Sequence, residues 1–197
     1  MRNQIFCGLV SFSLWMLATP SFSQSTAEDN SEGEQDLSAL NTLFSAIRQD
    51  DTTLFDEMLP TIKDLDATDE RGSTALVLAS YYNRLYMLDK LLYAAADPNE
   101  GGAMGNPIHG AAYKGFTEII KHLVYHGASL DVADSQGTTA MHYAVLGGNC
   151  DLVKFLLDRG ARYDIQDNSN MTAKEYADKL ENRCVICLFT PCTPIEK

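Results

Sequence analysis

Apolar residues recur along this chain at helical spacing, and the blocks they form recur as well. Leu152, Val153, Leu156 and Leu157 put one apolar stripe on a short helix. The segment just before it carries Met141 and the small Ala144, which lets two helices approach closely. Polar punctuation surrounds the pair. Asp134 and Gly137 suit a tight turn, because Asp can bond its own backbone and Gly accepts a positive φ. Thr139 stands where a helix N-cap is wanted, and Gly160 where a left-handed residue ends a helix. Residues 134–166 therefore predict a turn, two short helices and a closing Gly. In the frame of Met141 lie Leu43, Leu76, Ile108 and Lys174, at intervals of 33, 32, 33 and 33 residues. A fixed period of this length is the signature of a repeat architecture.

The copies carry a specific set of residues. The unit at 134–166 has Asp134, Gly137, Thr139, Met141, His142, Ala144, Gly148, Leu156, Leu157, Gly160 and Ala161. The unit at 101–133 offers Pro107, Ile108, His109, Ala111, Ala112, Gly115, Leu123, Gly127 and Ala128. The unit at 66–100 offers Asp69, Gly72, Thr74, Leu76, Ala79, Leu91, Leu92 and Ala96. Together they resemble the ankyrin repeat, whose pattern runs Asp-x-x-Gly-x-Thr-Pro-Leu-His, then Ala-Ala, Gly, Leu-Leu and Gly-Ala. The fold that the resemblance implies is an all-α solenoid of stacked helix-turn-helix units. One such unit cannot bury its apolar face alone, so its stability depends on its neighbours.

The flanks depart from the pattern as capping repeats do. Residues 37–65 lack the turn and its Gly, and place Arg48, Gln49, Asp50 and Asp51 in the loop position, as an N-terminal cap with a solvated outer side would. Residues 167–189 put Asn170 at the turn, Lys174 and Glu175 in place of Leu-His, and Glu181 in place of Gly, leaving Val185, Ile186, Leu188 and Phe189 as the buried face of a C-terminal cap. A tail at 190–197 follows, with Pro191 and Pro194 unable to continue a helix. Within the repeats, Ala95 stands where the resemblance calls for Gly, at a cost of about 1 kcal/mol if left-handed. The turn at residues 101–107 is one residue short, with its Gly displaced to position 105.

Residues 1–23 read as a secretory signal peptide: Arg2, an apolar run from Ile5 to Ala18, and small residues up to a cut after Ser23. Residues 24–36 carry five acidic residues and no basic one, and are expected to be a flexible leader. The expected product is exported, periplasmic or else extracellular, with no membrane insertion after cleavage. The formal charge of −12 argues against nucleic acid and anionic membrane surfaces as partners.

Four cysteines lie beyond the signal peptide. An even number in an exported chain points to disulfides, with Cys187–Cys192 closing a short loop. That leaves Cys150 and Cys184 on adjacent second helices, roughly 8–10 Å apart between axes, which argues against their bond. A thiol or metal site at Cys184, Cys187 and Cys192 is the alternative chemistry, but a fourth ligand is missing. His109 and His142 are expected to bond the turn backbone, and His122 and His126 to face solvent. Neither a nucleophile with a partner base nor a cofactor motif is evident, so no enzyme activity and no cofactor are expected.

The expected function is therefore to bind another protein, through the concave groove and turn tips that the resemblance implies, with the chain monomeric when unbound. Turns and helix ends project residues that stacking does not require. The candidate contacts are Glu70, Arg71, Ser73, Tyr81, Tyr82, Met104, Tyr113, Lys114, Ser135, Gln136, Thr138 and Leu146. Tyrosines here supply stiff, amphipathic contact area. Within this class stand an inhibitor or immunity protein, an accessory of an envelope or stress-defence enzyme, and an effector directed at host proteins.

Overall fold

The computed structural model describes residues 29–102 and 105–189, with side chains from Leu37 onward. Ten α-helices and one 3-10 turn make up its regular structure. They are α1 (Asp29–Gln49), α2 (Thr52–Met58), α3 (Ala75–Tyr81), α4 (Leu85–Tyr93), α5 (Pro107–Lys114), α6 (Thr117–Tyr125), α7 (Ala140–Leu146), α8 (Cys150–Asp158), α9 (Ala173–Lys179) and α10 (Arg183–Phe189). The 3-10 turn, Leu59–Thr61, follows α2. The odd-numbered helices pack in series, α1 on α3, α3 on α5, α5 on α7 and α7 on α9. From α2 to α8, each even-numbered helix packs on the odd one before it, and α10 packs on both α8 and α9. The result is an all-α repeat solenoid.

One apolar core runs the length of this stack. Leu43, Phe44 and Ile47 of α1 are fully covered, as are Met87, Leu88 and Leu91 of α4, Ile119, Ile120 and Leu123 of α6, and Leu152, Val153 and Leu156 of α8. Ala75, Ala79, Ala111, Ala140, Ala144, Ala173 and Ala177 bring the odd-numbered helices close together. At the C-terminal end Val185 is buried, while Ile186, Leu188 and Phe189 are half-buried against the core.

The turns repeat one hydrogen-bond device. In the turn at Asp69, the carboxylate Oδ1 accepts from the amides of Arg71 and Ser73 at 2.9 Å. At Asp134 the donors are Gln136 at 2.8 Å and Thr138 at 3.0 Å, and at Asp167 they are Ser169 and Met171 at 2.8 and 3.0 Å. Each turn needs one left-handed residue, supplied by Gly72, Gly137 and Asn170. The irregular turn differs: Gly102 and Gly105 exchange their backbone bonds, with Gly105 at φ 81°. A second device links successive loops. Asp66, Asn99 and Asp131 each accept, through a side-chain oxygen, the amide of Asp97, Ser129 or Arg162 in the next unit.

Two expectations are corrected. The acidic stretch expected to be flexible at 24–36 is helical from Asp29 onward, as the first turns of α1. Once a helix is nucleated, each added residue gains a bond at little cost, and acidic sequence is favoured at the amino end. The Cys150–Cys184 bond that helix spacing argued against is present, with Cα atoms 6.1 Å apart. Helix axes stand 8–10 Å apart, but Cα atoms lie about 2.3 Å off the axis, so facing residues come closer than the axes do. Cys187 is disulfide-bonded as well. Cys192, the signal peptide and residues 24–28 fall outside the described residues.

Two outcomes follow from this architecture. Ala95 adopts φ 69°, so Ala95→Gly is expected to raise stability by about 0.5–1 kcal/mol, read as a higher denaturant midpoint at unchanged slope. The Cys150–Cys184 bond ties α8 to the small terminal helix α10, and repeat arrays are held by nearest-neighbour interfaces. Cys150→Ser/Cys184→Ser is therefore expected to speed hydrogen exchange in α9 and α10 by about tenfold or more while leaving α3 to α6 protected.

Candidate binding site on the odd-numbered helices

Three tyrosines gather on one face of the helix row, two of them because the period places them there. Tyr81 ends α3 and Tyr113 occupies the matching position near the end of α5. Tyr143 comes from the second turn of α7, one period after Gly110. Val77, Tyr81, His109, Gly110, Tyr113 and Tyr143 line a cleft of about 290 Å³. Gly110 lines it without a side chain and packs closely on α3, where an added Cβ would stand in ordinary contact 3.5 Å from the Tyr81 Cβ. Tyr113 packs edge-on against Tyr143 with ring centroids 5.8 Å apart, and Tyr82 packs edge-on against Tyr81 at 5.3 Å.

Lys114 stands at the rim. Its Nζ lies 4.4 Å from the Tyr81 ring centroid and 5.6 Å from that of Tyr113. A cation–π contact at an exposed site contributes about 0.5–1 kcal/mol, enough to bias where the ammonium rests.

The tyrosine wall is fixed from the turn below it. The Tyr143 hydroxyl donates to Asp134 Oδ2 at 2.6 Å, so one carboxylate holds both the turn and the ring. Tyr176 and Asp167 repeat the arrangement at 2.6 Å, and Arg48 reaches from α1 to fill that role at Asp69. Burial works to raise the Asp134 carboxyl, but the Tyr143 hydroxyl and the turn amides outweigh it and hold the group below the ordinary value. Asp167 is held low by the same balance with Tyr176. Burial, followed by the Asp134 contact, pushes the Tyr143 hydroxyl well above its usual range, so it stays a donor.

His109 forms part of the cleft and spans two units. Its Nδ1 accepts the Asn106 amide at 3.0 Å, and its Nε2 donates to the Val132 carbonyl at 2.8 Å. Burial lowers its pKa despite the Val132 bond and the nearby Asp134. His142 takes the same place one unit on, between the Thr139 amide and the Met171 carbonyl. Both histidines thus bond the turn backbone as expected.

The sequence candidates separate into groups. Tyr81 and Tyr113 form the cleft, with Lys114 at its rim; Tyr82 and Leu146 are exposed beside this face. Glu70, Arg71, Ser135 and Gln136 are exposed at turn tips, and Thr138 is half-buried. Ser73 is a correction: it is fully buried and its Oγ has no hydrogen-bond partner among the described residues, so it cannot meet a partner protein. The shortened turn of the next unit lies against it, with Gly102 so close to the Gly72 carbonyl that no Cβ fits there. Met104 falls outside the described residues.

Tyr143, His109, Gly110 and Val77 belong to the cleft but were not candidates. The available signal was the pairing of a bulky residue with a glycine one period earlier. His122 and His126 are half-buried rather than simply solvent-facing: His122 Nδ1 meets Asp89 Oδ1 at 2.7 Å, and the His126 ring sits edge-on to Tyr93 and Tyr125. Cys184, bonded to Cys150, is not available as a thiolate ligand in this state.

Comparison with known sequences agrees with this geometry. Residues 100–167 match the family model described as ankyrin repeats (3 copies). Ankyrin repeats are present over residues 100–167. It is 33% identical to ankyrin repeat and SOCS box protein 11 of Mus musculus over 36% of this chain and 22% of that protein. It is 30% identical to NF-kappa-B inhibitor delta of Mus musculus over 46% of this chain and 28% of that one. To glycerophosphocholine phosphodiesterase gde1 of Schizosaccharomyces pombe it is 39% identical, over 40% of this chain and 7% of that protein. The chain thus spans less than a third of the length of each of these relatives. No helix among the described residues is long and apolar enough to cross a membrane.

The titrating groups of this site give a pH signature. The unfolded chain takes up protons at histidine near pH 6.5 while folded His109 resists, so stability falls as pH drops below 6.5. Asp134 and Asp167, whose folded pKa values are depressed, contribute stability above the ordinary carboxylate range and lose it as pH falls through their lowered values. Denaturant midpoints measured from pH 8 to pH 2 are expected to fall in two stages. His109→Gln is expected to flatten the first stage and keep the second.

Proposed function

We propose that this protein is a non-enzymatic binding module, exported to the periplasm, that holds another protein against the odd-numbered helix face. The observation that carries the reading is the tyrosine cleft with its rim lysine, a preformed concavity walled by aromatic side chains. Exposed Tyr82 and Leu146 and the turn tips at Glu70, Arg71, Ser135 and Gln136 extend the surface around it. Rigid aromatic anchors in a pocket are the usual carriers of binding energy at protein interfaces. The apolar run before Ser23 supports export, and a disulfide between Cys150 and Cys184 suits an oxidising compartment. Inhibition of a harmful enzyme, or support of an envelope or stress-defence enzyme, are the roles such a module would serve.

The test is a capture experiment from the source cell's envelope fraction, comparing the wild-type protein with Tyr81→Ala/Tyr113→Ala/Tyr143→Ala. The triple variant is expected to lose about 100-fold or more in affinity for the captured partner while keeping its helical signal and cooperative melting. Retained affinity would place the contact surface elsewhere. Assaying the partner's own activity, free and bound, separates inhibitor from accessory. Recovery of the protein from the culture medium rather than the periplasm would favour an effector.

A further inference from the structure

Lys114 is a cation held at the rim of the cleft against aromatic ring faces rather than against a carboxylate. The chain carries 27 acidic against 15 basic residues, and five of its described cations sit in ion pairs with carboxylates. Arg48 pairs with Asp69, Arg84 with Asp50, Lys90 with Asp56, Lys121 with Glu118 and Arg162 with Asp164. Lys114 has no carboxylate within ion-pair distance among the described residues; its neighbours are the faces of Tyr81 and Tyr113. Asp134, which anchors the Tyr143 wall of the cleft, already accepts the Tyr143 hydroxyl and two turn amides.

Building on the binding-module reading above, we infer that the cleft takes an aromatic or aliphatic side chain of the partner, and that Lys114 takes a carboxylate next to it in the partner's sequence. A cationic guest would have to displace Lys114 from the rings, and would gain there only what Lys114 gives up. A carboxylate displaces nothing, because it meets an ammonium already positioned beside low-dielectric ring faces, where a charge-assisted hydrogen bond is stronger than in water. The negative charge of the whole chain opposes an acidic guest at long range. That field is screened over roughly 8 Å at physiological ionic strength, whereas a direct Lys114–carboxylate contact is not. Gly110 lines the space for the neighbouring side chain without filling it, and Val77 with the rings of Tyr81, Tyr113 and Tyr143 supplies its apolar walls.

The probes are three end-blocked peptides, Gly-Phe-Asp-Gly, Gly-Phe-Lys-Gly and Gly-Ser-Asp-Gly, titrated to millimolar concentration while the tyrosine ring resonances are followed by NMR. The Phe-Asp peptide is expected to shift the Tyr81, Tyr113 and Tyr143 signals saturably, and to bind about fivefold or more tightly than the other two. Lys114→Gln is expected to remove the preference for Phe-Asp over Phe-Lys while leaving some affinity for both. Gly110→Leu, which adds bulk to the cleft lining beside Tyr81, is expected to abolish binding of both Phe peptides, with circular dichroism reporting that each variant is folded. Equal or tighter binding of Phe-Lys, an undiminished preference in Lys114→Gln, or no shift with any peptide would each overturn the inference. None of these outcomes decides the binding-module reading, which stands or falls on the triple tyrosine variant and the captured partner.

Discussion

Each inner helix pair among the described residues has an apolar face that only a neighbouring pair covers. Leu88 and Leu91 of α4, Ile119 and Leu123 of α6, and Leu152 and Leu156 of α8 are fully buried, yet each belongs to a unit too small to bury them alone. Stacking is therefore the constraint from which the rest follows. It forces a constant period, and it puts alanines where the odd-numbered helices touch. It also forces the ends to differ, because a terminal unit has a neighbour on one side only. The cap helix α1 meets this with Arg48 and Arg84-bound Asp50 at its carboxyl end, while α10 is tied back to α8 by a disulfide.

Stacking also decides what is left for binding. A helix position facing the neighbouring unit must be small or apolar, whereas a position on the open face of the row is unconstrained by the core. Tyr81, Tyr113 and Leu146 occupy one such position in three successive units, and their rings and side chain vary without disturbing Ala79, Ala111 and Ala144 beneath them. The turn carboxylates connect the two roles. Asp134 holds its own turn through backbone amides and holds Tyr143 through the hydroxyl, so the cleft wall has the rigidity of the turn. A preformed aromatic wall loses little conformational entropy when a partner docks. That is why this face, rather than the more exposed Tyr93 and Tyr125 on the even-numbered helices, is the better candidate for a specific contact.

The sequence by itself determined the repeat, the all-α architecture and the role of most marker residues, because each of these is local. An Asp-x-x-Gly turn, a Thr N-cap, a bonded histidine and a left-handed Ala95 depend on neighbours within a few positions or on the adjacent copy one period away. Only the tertiary structure decided how units meet. Ser73 looked like an exposed turn residue in its own unit and is buried because the shortened turn at Gly102 folds onto it. Cys150 and Cys184 looked too distant when reckoned from helix axes and are close because their Cα atoms face each other. Tyr143 became part of the cleft only when stacking set it above the space that Gly110 leaves one unit earlier. A period specifies which residues are equivalent, but the shape of a surface shared by two units depends on the pair of side chains that packing brings together.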